Sequence, residues 1–399
     1  MILDLKQIRK LLFYLALMLH CVIGGMIAFV GVIPFRPFYV SLLVILSLII
    51  YKIKIDNLLK FHLLFGALIV ASGFINGSSI GSIISALRLP IISQTMYLVV
   101  FGYLDNEKYN IEWILKVIAL IQLPIVIFQM AFYTPLSELS AIETAYFDIR
   151  YGTFFVKSDS IMSTFLILIV IYLLFVKKVL NKLNLLVIVS ACLSVFLADS
   201  RISQITLLGI LGYYTLINSS FKQKIGIIIL LGSVFVLFYA TGYAEKLAAQ
   251  FGDIIGQITF QRGVSMERFE EGQYARAAAI LYFISEPLKI FGDGPGRYIN
   301  PLTGEMELGL QSQYLKSYAE LGLAGMIVSI LGIFIIVKSL IKTGFFRYIV
   351  IFTILALGVT SDIYNDAGLM FVLFLMIHLM SSQEFKLQEV NQDPQSDSI

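Results

Sequence analysis

Residues 241–310 read TGYAEKLAAQFGDIIGQITFQRGVSMERFEEGQYARAAAILYFISEPLKIFGDGPGRYINPLTGEMELGL, the one long polar interruption in a chain otherwise built of apolar runs. Fifteen of these residues are charged, four of them arginines: Arg262, Arg268, Arg276 and Arg297. A chain that gathers its polar residues into one loop between apolar segments is expected to work through that loop.

The chain around it has 399 residues, of which 58% are hydrophobic and 14% charged, and its mean hydropathy is +0.88. That excludes a soluble globular domain, where charged residues take about a quarter of the sequence. The apolar runs are about as long as a helix needs to cross 30 Å of hydrocarbon, and the ten-residue alternation of a membrane barrel is absent. The expectation is an all-α polytopic integral membrane protein of about twelve transmembrane helices with one large extracytoplasmic loop containing short helices. The spans fall near 11–33, 38–51, 61–75, 83–103, 112–132, 161–176, 184–198, 202–218, 225–241, 313–337, 348–361 and 366–380. This divides the chain into nine spans in 1–241, the loop in 242–312, three spans in 313–380, and a polar tail, 381–399, expected to be disordered. The first run is too long for a signal peptide and lacks an A-x-A site, so it stays as a span. Cys21 and Cys192 both lie in apolar runs and imply no disulfide framework. A net charge of +3 argues for no nucleic-acid partner.

Lysine and arginine collect in cytoplasmic loops. With both termini cytoplasmic, 15 of 19 Lys fall inside, whereas 8 of 10 Arg fall outside. The outer set is Arg36, Arg88, Arg150, Arg201, Arg262, Arg268, Arg276 and Arg297. Topology explains the lysines and leaves the arginines over. Guanidinium grips phosphate or carboxylate with two parallel hydrogen bonds, so an arginine-rich outer surface points to an anionic ligand on that side; pairing with the outer Asp and Glu is the alternative. Arg201, in VFLADSRISQITLLG beside Asp199, and Arg88, in SIISALRLPIISQTMYLVV, sit at apolar depth, where a charge needs a partner or a wet cavity.

His20, His62 and His378 all fall in spans, and no HxxxH or DxD marks a divalent site, so no metal or other cofactor is expected. The proton is then taken by a carboxylate, or a neutral side chain merely orients the acceptor hydroxyl; the outer carboxylates are Glu305, Glu307 and Glu320, with Asp293, Asp159 and Asp148 behind them, and solvation or helix capping is the competing role for each. The glycines of IFGDGPGRY match no nucleotide-binding spacing; they read as a tight turn after the helix QYARAAAILYFISEP, on which Gln273, Arg276 and Ile280 share a face.

The order of an SR pair (Ser200, Arg201), an outer loop with an Arg-bearing helix, the turn Pro287, Gly292, Gly294, Gly296, and QSQYLKSYAELGLAG entering the next span resembles the O-antigen polymerase and O-antigen ligase superfamily over roughly residues 185–340. The resemblance implies a metal-independent glycosyltransferase in the bacterial cytoplasmic membrane that uses glycans on undecaprenyl pyrophosphate. By position, Arg201 and Arg276 would bind the pyrophosphate, with Arg88 beside them and Arg268, Arg297 and Asp199 as secondary candidates. Partners would be the lipid-linked glycan and membrane lipids, with a chain-length regulator and a flippase. Ligases carry a histidine before the E-L-G segment, where this chain has Gln311 and Ser312. That departure favours the branch that polymerises repeat units into O-antigen, capsule or exopolysaccharide, with Gln311 orienting the acceptor hydroxyl and Glu307 as base. A ligase-type transferase or a polysaccharide or lipid-carrier transporter remains the alternative.

Overall fold

The computed structural model describes residues 4–24, 35–52, 55–104, 111–139, 150–154, 159–179, 181–198, 200–218, 287–296, 312–342, 344–359 and 361–392. All regular structure among them is helical. In chain order the helices are α1 (Leu5–Cys21), α2 (Phe35–Ile50), α3 (Asn57–Ile75), α4 (Ile80–Leu104), α5 (Ile111–Ala131), α6 (Tyr133–Leu139), α7 (Asp159–Ile171), α8 (Lys182–Leu197), α9 (Arg201–Asn218), α10 (Gln313–Leu340), α11 (Phe346–Leu357) and α12 (Ala367–Gln392). A π-helical turn, Tyr172–Lys177, continues α7.

Side chains that can satisfy orphan helix-end donors mark several N-termini. Asp56 accepts the Leu59 amide at 2.8 Å, Asn181 that of Asn184 at 2.8 Å, and Asp366 those of Gly368 and Leu369 at 2.8 and 3.1 Å. α4 and α5 carry Pro90 and Pro124 in their interiors.

Among the described residues, four helices are long and apolar enough to cross a membrane: α3, α4, α5 and α10. Shorter apolar stretches lie in α2, α7 with its π turn, α8, α9, α11 and α12. α7 and α12 form the interior: every residue from Phe165 to Leu173 is fully buried, as are Met370, Phe371, Val372 and Phe374. α12 packs on α4, α7 and α1, and α3 lies between α4 and α10. The outward faces stay apolar, with Ile49, Leu63, Phe74, Ile84, Phe128, Leu186 and Phe352 exposed. Helices apolar on both faces are compatible with a membrane-embedded bundle. Helix contacts in such a bundle rest on close packing: a Cβ on Gly332 of α10 would lie 2.1 Å from the Phe61 ring of α3, so only glycine admits that approach.

A second polar feature ties α5 to the π turn. Glu112 accepts from Lys116 at 2.5 Å, Lys177 at 2.9 Å and the Tyr172 hydroxyl at 2.8 Å.

The helices follow the expected spans closely from the second onward, the ninth (225–241) lying outside the described residues. Two boundaries differ. α1 begins at Leu5 and ends at Cys21, earlier than the span read at 11–33. The tail expected to be disordered from 381 is helical as far as Gln392, continuing α12. The chain divides into two compact units: one of Met1–Leu207, Leu288–Tyr298 and Gln311–Ile399, the other of Leu208–Pro287 and Ile299–Leu310. Of the second, the main described part is the later portion of α9, where Gly209 and Gly212 face open space.

Candidate functional site at a helix break

Within the larger unit, the glycine turn and the start of α10 are built into one another. α10 is not continuous: Gly322 has φ 70° and ψ −163°, a region open essentially to glycine alone. It separates Gln313–Leu321 from Leu323–Leu340. A broken helix frees backbone donors and acceptors that must find partners where water is scarce. Residues 287–296, PLKIFGDGPG, supply them. Leu323 N donates to Lys289 O at 2.9 Å and Ala324 N to Ile290 O at 3.2 Å, while Asp293 N donates to Ala319 O at 2.8 Å and Gly294 N to Glu320 O at 3.0 Å.

This interlock needs glycine on both sides. A Cβ on Gly322 would lie 2.3 Å from Ile290 O, and one on Gly292 would lie 2.5 Å from Gly322 N. α3 closes the arrangement from a third side. The Ser72 hydroxyl lies 2.6 Å from Phe291 O and 2.9 Å from Glu320 O and shares its proton between them. Asn76 Nδ2 donates to Phe291 O at 3.3 Å.

Charges gather on this frame. Lys289 Nζ donates to Asp293 Oδ1 at 2.6 Å, and burial raises the Asp293 carboxyl above the usual carboxylate range. Lys316 Nζ donates to Asp362 Oδ2 at 2.6 Å. The Glu320 carboxylate is partly buried. It lies within electrostatic reach of Lys316, Asp362 and Arg88. Arg88 is exposed on α4 and makes no direct hydrogen bond or ion pair with a described residue; its relation to Glu320 is an attraction at longer range. Next to Lys316, the buried Gln313 anchors the first turn of α10: its N–H donates to Gly358 O at 3.0 Å, and its Oε1 accepts the Tyr364 amide at 3.1 Å.

The structure thus brings together three of the residues singled out in the sequence, Arg88, Glu320 and Asp293. It adds Ser72, Lys289, Lys316 and Asp362, which carry no sequence signal beyond being polar. Arg201 opens α9, its side chain outside the described structure. Asp159 likewise opens α7 with an undescribed side chain. Arg276, Arg268, Arg297, Asp199, Asp148, Glu305, Glu307 and Gln311 lie outside the described residues. Arg150 has a structural role. It is buried, and its guanidinium donates to Leu197 O at 3.0 Å, at the C-terminus of α8, where the helix dipole favours a cation.

The three histidines are engaged inside the bundle. His62 bonds Gln94 Oε1 at 2.7 Å and Ser93 Oγ at 2.8 Å. His20 meets the Tyr39 hydroxyl at 3.1 Å, and His378 meets the Phe101 ring edge-on at 5.0 Å. Among the described residues no three His, Cys, Asp or Glu side chains come together as metal ligands.

Comparison with protein-family models and with curated proteins finds no match for this chain.

Proposed function

We propose that this chain is a glycan polymerase of the bacterial cytoplasmic membrane. It joins oligosaccharide repeat units carried on undecaprenyl pyrophosphate, on the outer face of a twelve-span bundle whose termini are cytoplasmic. The observation that carries the reading is the position of the α10 break. From Leu323 to Leu340 the helix runs 18 residues, about 27 Å at 1.5 Å per residue, close to the hydrocarbon thickness. With that run across the hydrocarbon, Glu320 and Lys316 would fall at the bilayer edge, the depth of a lipid pyrophosphate.

In this reading the pyrophosphate is the leaving group. Arg201 and Arg276, with Arg88, neutralise the charge that grows on it as the glycosidic bond to phosphate breaks. Guanidinium supplies that charge without a metal, and the acceptor is the terminal sugar hydroxyl of a second lipid-linked unit. The discontinuity of α10 also favours a second reading, a lipid-carrier or polysaccharide transporter, since transporters bind substrates at broken helices. Their breaks lie near the bilayer midplane, and this one lies at the end of a full-length apolar run.

Purified protein given lipid-linked repeat units alone separates the two. A ladder of lengthened products requires a polymerase; lipid movement across liposomes without a ladder requires a carrier. Arg201→Ala and Arg276→Ala should each abolish the ladder at unchanged protein level, with Lys only partly tolerated at either position. Full-length polymer from both alanine variants would refute the clamp.

A further inference from the structure

We propose that Ser361 and Asp362, with Lys316, form a subsite that holds the glycan by a pair of its hydroxyl groups; this rests on the polymerase reading above. Ser361 and Asp362 lie in the loop that joins α11 to α12. Each carries a buried side-chain oxygen, Ser361 Oγ and Asp362 Oδ1, with no hydrogen-bond partner among the described residues. Ser361 as a whole is only 6% exposed. A buried polar oxygen left unpaired costs folding free energy, so its retention points to a use.

The polar groups around these two oxygens are all engaged. Gln313 Nε2 donates to Ser317 Oγ at 2.9 Å, and its Oε1 accepts the Tyr364 amide at 3.1 Å. Its backbone N–H lies 3.0 Å from Gly358 O and 3.2 Å from Ser361 O. The Tyr314 hydroxyl donates to Leu355 O at 2.7 Å, and Asp366 caps α12. Asp362 is fixed by its other oxygen, Oδ2, which accepts from Lys316 Nζ at 2.6 Å. The loop is therefore tied to the first turns of α10, and Ser361 and Asp362 sit on a rigid frame with one oxygen each uncommitted. A frame of that kind binds with little loss of entropy.

The donors and acceptors define the ligand. An ionised Asp362 can only accept; Lys316, with two protons beyond the one given to Asp362, can only donate; Ser361 Oγ does either. Lys316 and Asp362 cancel in charge, so the set favours no net ion. It is satisfied by a neutral group that donates and accepts through one atom, which is a hydroxyl, and adjacent hydroxyls on a sugar ring suit oxygens carried by adjacent residues. Water shares this chemistry, and the experiment separates the two sources. The side chains of Lys316 and Asp362 keep 16% and 14% of their exposure, so the pair reaches the molecular surface, and the flexible lysine stem lets the ammonium shift as a hydroxyl comes in. Lys316 belongs to the part of α10 ahead of the Gly322 break, which the polymerase reading sets at the outer bilayer edge, where a lipid-linked glycan is presented. The role is positioning: no bond is made or broken by these residues.

The test uses the full chain in nanodiscs with lipid-linked repeat units, and reads KM, kcat and Tm together. Ser361→Ala is the decisive variant, because the hydroxyl it removes bonds no described residue of the free protein. It should raise KM roughly fivefold, the worth of one neutral hydrogen bond, with kcat within about twofold of wild type and Tm unchanged or higher. Asp362→Asn should raise KM by roughly 10-fold or more, because a charged acceptor makes the stronger bond; where that variant fails to fold, Ser361→Ala decides by itself. The proposal fails if Ser361→Ala leaves KM within about twofold of wild type, the result expected of an oxygen that meets only water. It also fails if KM rises together with a fall in Tm of more than about 2 °C, since the hydroxyl then holds the loop and not the sugar. Absence of a ladder from the wild type refutes the polymerase reading and the subsite together; a wild-type ladder with an unchanged KM for Ser361→Ala refutes the subsite alone.

Discussion

Gly322→Ala is the sharpest probe of the helix break. At φ 70° and ψ −163°, an alanine costs about 1–3 kcal/mol in backbone strain. Its Cβ would also sit 2.3 Å from Ile290 O and 2.4 Å from Gly292 N, so the turn must withdraw. Withdrawal stretches the bonds Leu323 N to Lys289 O and Ala324 N to Ile290 O, each worth about 1 kcal/mol. The sum is about 3–5 kcal/mol, which lowers Tm by roughly 4–6 °C for a chain of this length. A thermal-unfolding series in detergent reads it, with Gly209→Ala and Gly212→Ala as controls. Those two face open space in α9, and alanine should raise or leave unchanged the stability of that helix. If Gly322→Ala unfolds within about 1 °C of the controls, the interlock contributes nothing and the rigid site falls with it.

Other substitutions test the frame more locally. Ser72→Ala removes the donor that Phe291 O and Glu320 O share while each keeps another, Asn76 Nδ2 and Gly294 N, and should cost about 1 kcal/mol, read as a lower Tm with unchanged expression. Glu112→Ala strands two lysines at the start of α5 and the π turn and should cost on the order of 3 kcal/mol; Glu112→Gln, which can still accept from Tyr172, should cost less, and the difference is measurable by chemical denaturation. Arg150→Ala removes the cation that bonds Leu197 O at 3.0 Å and should destabilise α8 by about 1–2 kcal/mol, with Arg150→Lys intermediate. An unchanged hydrogen-exchange rate at the end of α8 would show the bond to be idle.

Most of the bundle was legible because run length and hydropathy fix a membrane helix almost independently of its neighbours. α4 and α5 fall within a few residues of where apolar runs 83–103 and 112–132 put them. The start of α1 was not, since Asp4 and Gln7 form a capping box ahead of the apolar run and lengthen the helix outward. The glycine turn was readable as a turn from Pro287, Gly292, Gly294 and Gly296. What it grips was not. Gly322 sits in an apolar run where glycine is common, and its special backbone becomes evident only when Gly292 lies against it. Likewise Arg88 stood out as a charge at apolar depth, whereas Lys316 and Asp362 look like ordinary polar neighbours until α10 and the loop before α12 bring them within 2.6 Å. Pairing of that kind is a tertiary fact with no local periodicity to announce it.

Ser72 has a consequence for biogenesis. Its two acceptors lie 219 and 248 residues further along the chain, so during synthesis α3 enters the bilayer long before either carbonyl exists. The hydroxyl can meanwhile bond only locally or to water, and the notch it guards stays open until the ribosome has released Glu320 and the apolar run behind it. Nascent chains arrested before that point should be recognised by membrane quality-control proteases as incomplete. Arrest a few tens of residues later, once the notch has shut, should yield markedly longer-lived species.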